Sequence, residues 1–259
     1  MIDFPDSAIF AAAIADPRFT WAVGVSALAG IVRGFTGFGS AMIYVPLIAA
    51  IYEPRIASVT LLLIDLTAST PFTIPEFRRS TWSELRPISI AMVIAVPFGT
   101  WALLVVDPIV LRWFIAVMVL GLLAFLATGW RFRGEPGMPV TIGVGLFAGF
   151  GCGAVQIAGP APIIYWLSRG ASAMQMRANL MVFFLFTGIV VLISYTVKGL
   201  FTPELIALSI LLGIPFIITL GVGAYFFHGA SDAFYRNVAY GIIVIAALLS
   251  LPVFDRVLR

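Results

Sequence analysis

The chain has 259 residues, of which 61% are hydrophobic and only 10% are charged. Charged residues make up about a quarter of an ordinary soluble domain, so this composition excludes a water-soluble globular protein. The formal net charge of +3 comes from basic residues scattered through short loops, which is typical of membrane topology signals and not of a nucleic-acid-binding surface.

The N-terminal stretch MIDFPDSAIFAAAIADPRF contains Asp3, Asp6 and Asp16 and no basic residue before its apolar part. A secretory signal peptide begins with a positively charged region. We therefore expect no cleaved signal peptide, so that the N-terminus remains in the mature protein.

A glycine-rich element follows at 19–51 and contains the run RGFTGFGSAMIYVPL, residues 33–47. It is too long for one simple span and short for two. Glycine and proline inside it predict a break near mid-membrane. Backbone that leaves helical geometry at that depth must be buried in protein or line a wet cavity, so we interpret the break as part of a transport pathway.

Five other segments are each about 20 residues long and almost free of charge, which is enough for a helix to cross a hydrocarbon core of about 30 Å. They are residues 87–106, 111–130, 179–197, 203–227 and 235–253. The sequence therefore predicts an all-α polytopic membrane protein. Basic loops lie two spans apart and are both predicted to be cytoplasmic; their arginines are Arg78, Arg79, Arg86, Arg131 and Arg133.

The second half of the chain resembles the first. The run AGFGCGAVQIAGPAPI at 148–163 repeats the glycine pattern of 33–47, and Glu84 and Glu204 each precede a long apolar helix that contains a proline. We predict two homologous halves, a common build for transporters: an N-terminal transmembrane repeat at 1–130, a cytoplasmic linker at 131–139 and a C-terminal transmembrane repeat at 140–259. Each half holds one glycine-rich element, at 19–51 or 140–168, plus three transmembrane helices.

Two arrangements of the glycine-rich elements remain open. A single broken helix gives four spans per half and parallel repeats, whereas a hairpin of short helices gives odd parity and inverted repeats. The inverted arrangement is favoured, because opposed hairpins bring both glycine loops to one site at the midplane.

Freed N–H groups at the N-terminus of a broken helix favour an anion. Arg33 cannot lose its proton in a membrane and needs a partner or water. The alternatives are contact with an anionic substrate, pairing with Asp65, the acid well inside an apolar segment, and a position at the membrane interface to which its side chain snorkels. Asp65 is accordingly a coupling residue or the counter-ion of Arg33. The amide of Gln156 can donate to an oxyanion. The predicted substrate-binding residues are Arg33, Gly37, Gly39, Ser40, Gly151, Gly153, Gln156, Arg177 and Asn179.

Each of these residues also has a purely structural interpretation. The glycines can serve close helix packing, and Arg177 with Asn179 can mark a positively charged helix boundary. Cys152, the one cysteine, is interpreted as a small buried residue.

Enzyme activity is not predicted. His228 is the single histidine, so a histidine-based metal site is not expected, and the glycine runs lack the strand context of a dinucleotide or nucleophile motif. We expect no cofactor and no metal.

The runs RGFTGFGSAMIYVPL, AGFGCGAVQIAGPAP and RANLMVFFLFTGI resemble the sulfite exporter TauE/SafE family, also grouped with the 4-toluene sulfonate uptake permeases. The resemblance extends over essentially the whole chain. It implies movement of sulfite, sulfonates or other organic anions across the bacterial inner membrane. The arginine position of the first run is Ala148 in the second, so a charge role of Arg33 is not duplicated.

The leading interpretation is a secondary transporter that exports sulfite or an organosulfonate such as sulfoacetate. Its expected partners are a small anion and the lipid bilayer, with a homodimer left open and nucleic acid excluded. The alternatives are a cation or metal permease that uses Asp65, and a membrane partner protein without transport of its own.

Overall fold

The computed structural model describes residues 4–36, 39–128, 136–158, 161–169 and 172–226. The regular structure in these ranges is helical. The helices are α1 (Ser7–Ala15), α2 (Phe19–Thr36), α3 (Ser40–Ile51), α4 (Pro54–Thr73), a 3-10 turn (Ile74–Arg78), α5 (Trp82–Val105), α6 (Pro108–Thr128), α7 (Met138–Val155), α8 (Ala161–Ser168), α9 (Ala173–Val197) and α10 (Pro203–Phe226).

Five helical stretches of the described chain are long and apolar enough to cross a membrane, or six if the bent pair α1 and α2 counts as one span. The prediction of an all-α polytopic membrane protein is confirmed. The predicted segments at 87–106, 111–130, 179–197 and 203–227 correspond to α5, α6, α9 and α10, whereas the segment at 235–253 lies outside the described residues.

Local sequence explains where several helices begin. Proline is the first residue of α4, α6 and α10, a position where its missing N–H costs no helical hydrogen bond. Asp107 accepts a hydrogen bond from the N–H of Ile109 at 2.7 Å, and Ser172 accepts one from the N–H of Gln175 at 3.2 Å. These side chains cap α6 and α9.

The chain folds into two compact units. Unit 1 contains residues 1–64, 106–123 and 199–259, and unit 2 contains residues 65–105 and 124–198. Each unit therefore takes segments from both predicted halves. The division into repeats at 1–130, 131–139 and 140–259 stays a prediction about the sequence.

In unit 1, α2 and α10 pack in close contact and run parallel. The hydroxyl of Ser26 donates to the carbonyl of Leu212 at 2.6 Å. One turn further along both helices, a Cβ at Gly30 would collide with the carbonyl oxygen of Phe216. A small residue there lets the two backbones approach, as is common between membrane helices.

The element at 19–51 forms a hairpin in unit 1. Its two arms are α2 and α3, which pack against each other. The guanidinium of Arg18, just before α2, lies 4.7 Å from the centre of the Tyr52 ring, just after α3. The two ends of the element therefore meet, and we call this end the base of hairpin 1.

Unit 2 contains the corresponding hairpin 2, made of α7 and α8. The hydroxyl of Thr141, near the start of α7, donates to the hydroxyl oxygen of Tyr165, near the end of α8, at 3.1 Å. Arg169 follows α8 and donates to the carbonyl of Pro136, which precedes α7, at 3.4 Å. We call this end, where α7 begins and α8 ends, the base of hairpin 2. The hairpin interpretation is thus the one found in both units, and the inverted relation of the repeats stays a prediction.

Helix α5 lies along α7 in unit 2. Successive glycines of α7, at Gly145, Gly149 and Gly153, face the backbone of α5 at one-turn intervals. The residue numbers rise together along both helices, so α5 and α7 run parallel and their first residues lie at the same end of unit 2. This agrees with placing Arg78 and Arg79 on the same side as the chain that leads into α7; Arg131 and Arg133 lie outside the described residues.

Candidate functional site

The tip of hairpin 1 contains the start of a helix. Gly39 precedes α3 with φ of 95°, a left-handed conformation that glycine adopts without steric cost. No side chain of the described residues caps α3. Ser40, the first residue of α3, is 2% exposed. Backbone N–H groups at such a start are donors for an anion; Gly37 lies outside the described residues.

The tip of hairpin 2 begins with a strained glutamine. Gln156 follows α7 with φ of 58° and is the one non-glycine residue with positive φ in the described ranges. Its N–H donates to the carbonyl of Cys152 at 3.0 Å, and the N–H of Ile157 donates to that of Gly151 at 3.3 Å. The first of these bonds is that of the αL motif at a helix C-terminus, in which glycine or asparagine normally takes the left-handed position.

The side chain of Gln156 gives a reason for this choice of residue. Its nitrogen Nε2 is buried and has no hydrogen-bond partner among the described atoms. A buried donor without a partner costs about 1–3 kcal/mol. A residue that is strained in its backbone and unsatisfied in its side chain is typical of a binding position.

The contacts of Gly149 and Gly153 support the packing interpretation of these glycines. A Cβ at Gly149 would collide with the carbonyl oxygen of Met92, and one at Gly153 with that of Val96. The carbonyl of Gly153 also accepts a hydrogen bond from the hydroxyl of Tyr195 at 2.9 Å. Substrate contact at Gly151 and Gly153 stays a prediction.

Arg177 and Asn179 do not lie with Gly153 and Gln156. Asn179 is fully buried, and its Oδ1 accepts a hydrogen bond from the N–H of Thr81 at 2.8 Å, just before α5. Along α9, sixteen residues separate Asn179 from Tyr195, a distance of about 24 Å at 1.5 Å per residue. Asn179 thus holds the start of α5 at the base of hairpin 2, and Arg177 is exposed near the same end of α9.

Arg33 and Asp65 belong to different units. Arg33 lies in the last turn of α2 and is half-buried in unit 1, whereas Asp65 lies on α4 at the first position of unit 2. Within unit 2, Asp65 on α4 is close enough to Cys152 on α7 for an electrostatic interaction between the two side chains. This places Asp65 near the last turn of α7, next to the tip of hairpin 2. The pairing of Arg33 with Asp65 stays a prediction.

Sequence reasoning missed a polar cluster at the base of hairpin 2. The Nε of Arg169 donates to Glu84 Oε1 at 2.9 Å, and its Nη1 donates to the hydroxyl oxygen of Tyr165 at 3.3 Å. Burial alone would lower the pKa of Arg169, but Tyr165 and Glu84 outweigh it and raise the pKa above its ordinary value. The match between Glu84 and Glu204 marked this position, but nothing in the sequence marked Arg169 as its partner.

The comparisons with known proteins agree with the membrane architecture. A family model described as sulfite exporter TauE/SafE matches residues 22–250, which is nearly the whole chain. No curated protein and no solved structure matches the chain.

Proposed function

Because the chain belongs to the sulfite exporter TauE/SafE family, it is a multi-pass membrane transporter and not an enzyme, and we propose that its cargo is a small sulfur-containing anion. The proposed cargo is sulfite or an organosulfonate such as sulfoacetate, and the proposed location is the bacterial inner membrane.

The observation that carries this proposal is the buried amide nitrogen Nε2 of Gln156 at the tip of hairpin 2, which has no hydrogen-bond partner in the described part of the chain. An Nε2 group is a donor only, so it suits an oxygen that carries negative charge. The uncapped start of α3 after Gly39 supplies donors of the same kind at the tip of hairpin 1. Each hairpin thus carries hydrogen-bond donors at its own break.

Export is the direction that the membrane potential favours. An inside-negative potential drives a monoanion outwards by about 2.3 kcal/mol per 100 mV. Export can therefore proceed as a uniport, whereas uptake needs coupling to another ion. Asp65, beside the last turn of α7, is the residue we propose for such coupling.

A thermal-shift screen of the purified chain tests the cargo class. We expect sulfite, sulfoacetate, taurine or isethionate to raise the melting temperature, and the Gln156→Glu variant to lose that response because its carboxylate repels an anion. Divalent cations serve as the opposing ligands. A shift with a divalent cation that depends on Asp65, without any shift from the anions, contradicts the proposal and favours a cation permease.

We also propose that the two halves are inverted, a topology that the two hairpins support because a hairpin returns the chain to the side from which it started. In either arrangement, cysteines at Arg78 and Arg133 are both expected to be labelled from the cytoplasm by an impermeant thiol reagent, and a cysteine at Ser172 distinguishes inverted from parallel halves. The native Cys152 is 6% exposed and is replaced by alanine in these variants. Labelling at Arg78 or Arg133 from the periplasm in intact cells contradicts the predicted side of both loops.

A further inference from the structure

A groove in unit 1 has no role in the proposed transport function. Its volume is about 530 Å³, within the range of about 300–1,000 Å³ typical of small-molecule sites. It lies between α1 and the first turns of α10, next to the base of hairpin 1. Helix α1 is bent by 91° from α2, and α2 runs along the spanning helix α10. Helix α1 therefore lies across the ends of these helices, at the level of the lipid headgroups.

The rim of the groove is charged and its sign is negative. Three carboxylates and one guanidinium line it, from Asp6, Asp16, Glu204 and Arg18, which gives −3 + 1 = −2 at neutral pH. Arg18 donates to Asp16 through Nη2 at 2.8 Å and through Nε at 3.0 Å, so these two charges largely neutralise each other. The remaining negative charge belongs to Asp6 and Glu204, and Glu204 is exposed.

The wall of the groove is apolar. Ile9 and Ala12 of α1 face Leu205 and Leu208 of α10 across it. Leu208 lies one turn deeper along α10 than the rim residue Glu204. The groove is thus amphiphilic, with carboxylates at the water side and aliphatic side chains towards the hydrocarbon.

We propose that this groove binds phosphatidylethanolamine from the surrounding bilayer. The primary ammonium of this lipid has three N–H donors for the carboxylates of Glu204 and Asp6, as a lysine ammonium does. The Nη1 donors of Arg18 face the lipid phosphate, and the acyl chains follow the apolar wall. This assignment goes beyond the transported anion and does not depend on it.

Charge and hydrogen bonding distinguish this lipid from others. An anionic headgroup is repelled by a rim of charge −2. The quaternary ammonium of phosphatidylcholine has no N–H donor for the carboxylates. Aromatic rings also bind quaternary ammonium groups, but the Arg18 guanidinium already lies over the ring of Tyr52, the aromatic side chain of the groove.

The test uses the full chain in nanodiscs of phosphatidylcholine alone, of equal parts phosphatidylcholine and phosphatidylethanolamine, or of equal parts phosphatidylcholine and phosphatidylglycerol. Native mass spectrometry measures the lipid retained by the protein, and tryptophan fluorescence measures the melting temperature. We expect retention of phosphatidylethanolamine about tenfold above phosphatidylcholine, equivalent to about 1.4 kcal/mol, together with a higher melting temperature in its presence.

Two variants make the test specific. Glu204→Gln removes the exposed carboxylate and is expected to abolish both the preference and the gain in melting temperature. Glu53→Gln removes an acid of unit 1 that does not line the groove and is expected to change neither. An equal melting temperature of Glu204→Gln and the unchanged protein in phosphatidylcholine shows that the variant is folded.

Four results overturn the proposal. The first is equal retention of the two zwitterionic lipids. The second is stronger retention of phosphatidylglycerol, and the third is an unchanged preference in the double variant Asp6→Asn, Glu204→Gln. A dimer mass that disappears in Glu204→Gln also overturns it, because the groove then holds a second copy of the chain.

Discussion

Replacing Gln156 by glycine is expected to stabilise the protein and to impair transport. A non-glycine residue in the left-handed conformation costs about 1–2 kcal/mol, and glycine adopts φ of 58° freely. The glycine variant loses about 0.5–1 kcal/mol to backbone entropy, but it also removes the buried unpaired Nε2. The expected net gain is about 1 kcal/mol, which raises the melting temperature by about 2–4 °C for a chain of this size.

The same variant loses a donor to the anion. A hydrogen bond to a charged group contributes about 1.5–3 kcal/mol, so flux at low substrate concentration is expected to fall at least about tenfold. The assay is efflux of radiolabelled sulfite or sulfoacetate from proteoliposomes, divided by the amount of folded protein, with a parallel thermal melt. Gln156→Asn keeps an amide and tolerates the left-handed conformation, so it is expected to retain part of the flux.

Gln175→Ala is the control for the loss of an amide donor. The Nε2 of Gln175 donates to the hydroxyl of Thr81 at 2.6 Å, at the base of hairpin 2 and away from Gln156. This variant is expected to melt at a lower temperature and to keep its flux per folded molecule. Full flux in Gln156→Gly, or a lower melting temperature of that variant, refutes the assigned role of Gln156.

Three further predictions concern packing, charge and topology. Gly149→Ala is expected to destabilise the protein by about 1–3 kcal/mol because its Cβ meets the α5 backbone. Gly143→Ala, whose Cβ would meet no described atom outside its own helix, is expected not to lower the melting temperature; equal melting temperatures of the two variants contradict the packing role. If Arg33 contacts the anion, the double variant Arg33→Gln, Asp65→Asn folds but stays inactive, and recovered flux in the double variant shows instead that the two charges neutralise each other. A cysteine at Ser172 is expected to react from the cytoplasm in intact cells, and periplasmic labelling favours parallel halves.

The sequence identified the features that depend on neighbouring residues. The spacing of glycine and proline marked both glycine-rich elements, because these residues restrict the backbone within a few positions. The sequence did not decide between a hairpin and a single broken helix. That choice depends on contacts between residues that are far apart along the chain, such as Arg18 with Tyr52.

Long-range side-chain partners were beyond the sequence for the same reason. Arg169 and Glu84 are 85 residues apart, and no local pattern connects them. Asn179 opens an apolar run, and its Oδ1 accepts a hydrogen bond from the N–H of Thr81, which is 98 residues away. A local pattern shows that a polar residue needs a partner inside the membrane, but the packing of the helices determines which partner it meets.

The pair of α2 with α10 and the pair of α5 with α7 also differ in the time between synthesis of the first helix and synthesis of the second. Ser26 and its acceptor Leu212 are 186 residues apart, so at about 5–20 residues per second the glycine face of α2 remains without α10 for about 10–40 s. In unit 2, Met92 of α5 and Gly149 of α7 are separated by only 57 residues, about 3–11 s of synthesis at the same rate. Unit 2 is complete once residue 198 has been made, whereas α2 depends on the last described helix. A nascent chain stalled before α10 therefore holds a finished α5–α7 pair and an α2 that contacts α3 but lacks α10, and this is the stage at which a membrane chaperone or protease is expected to recognise it.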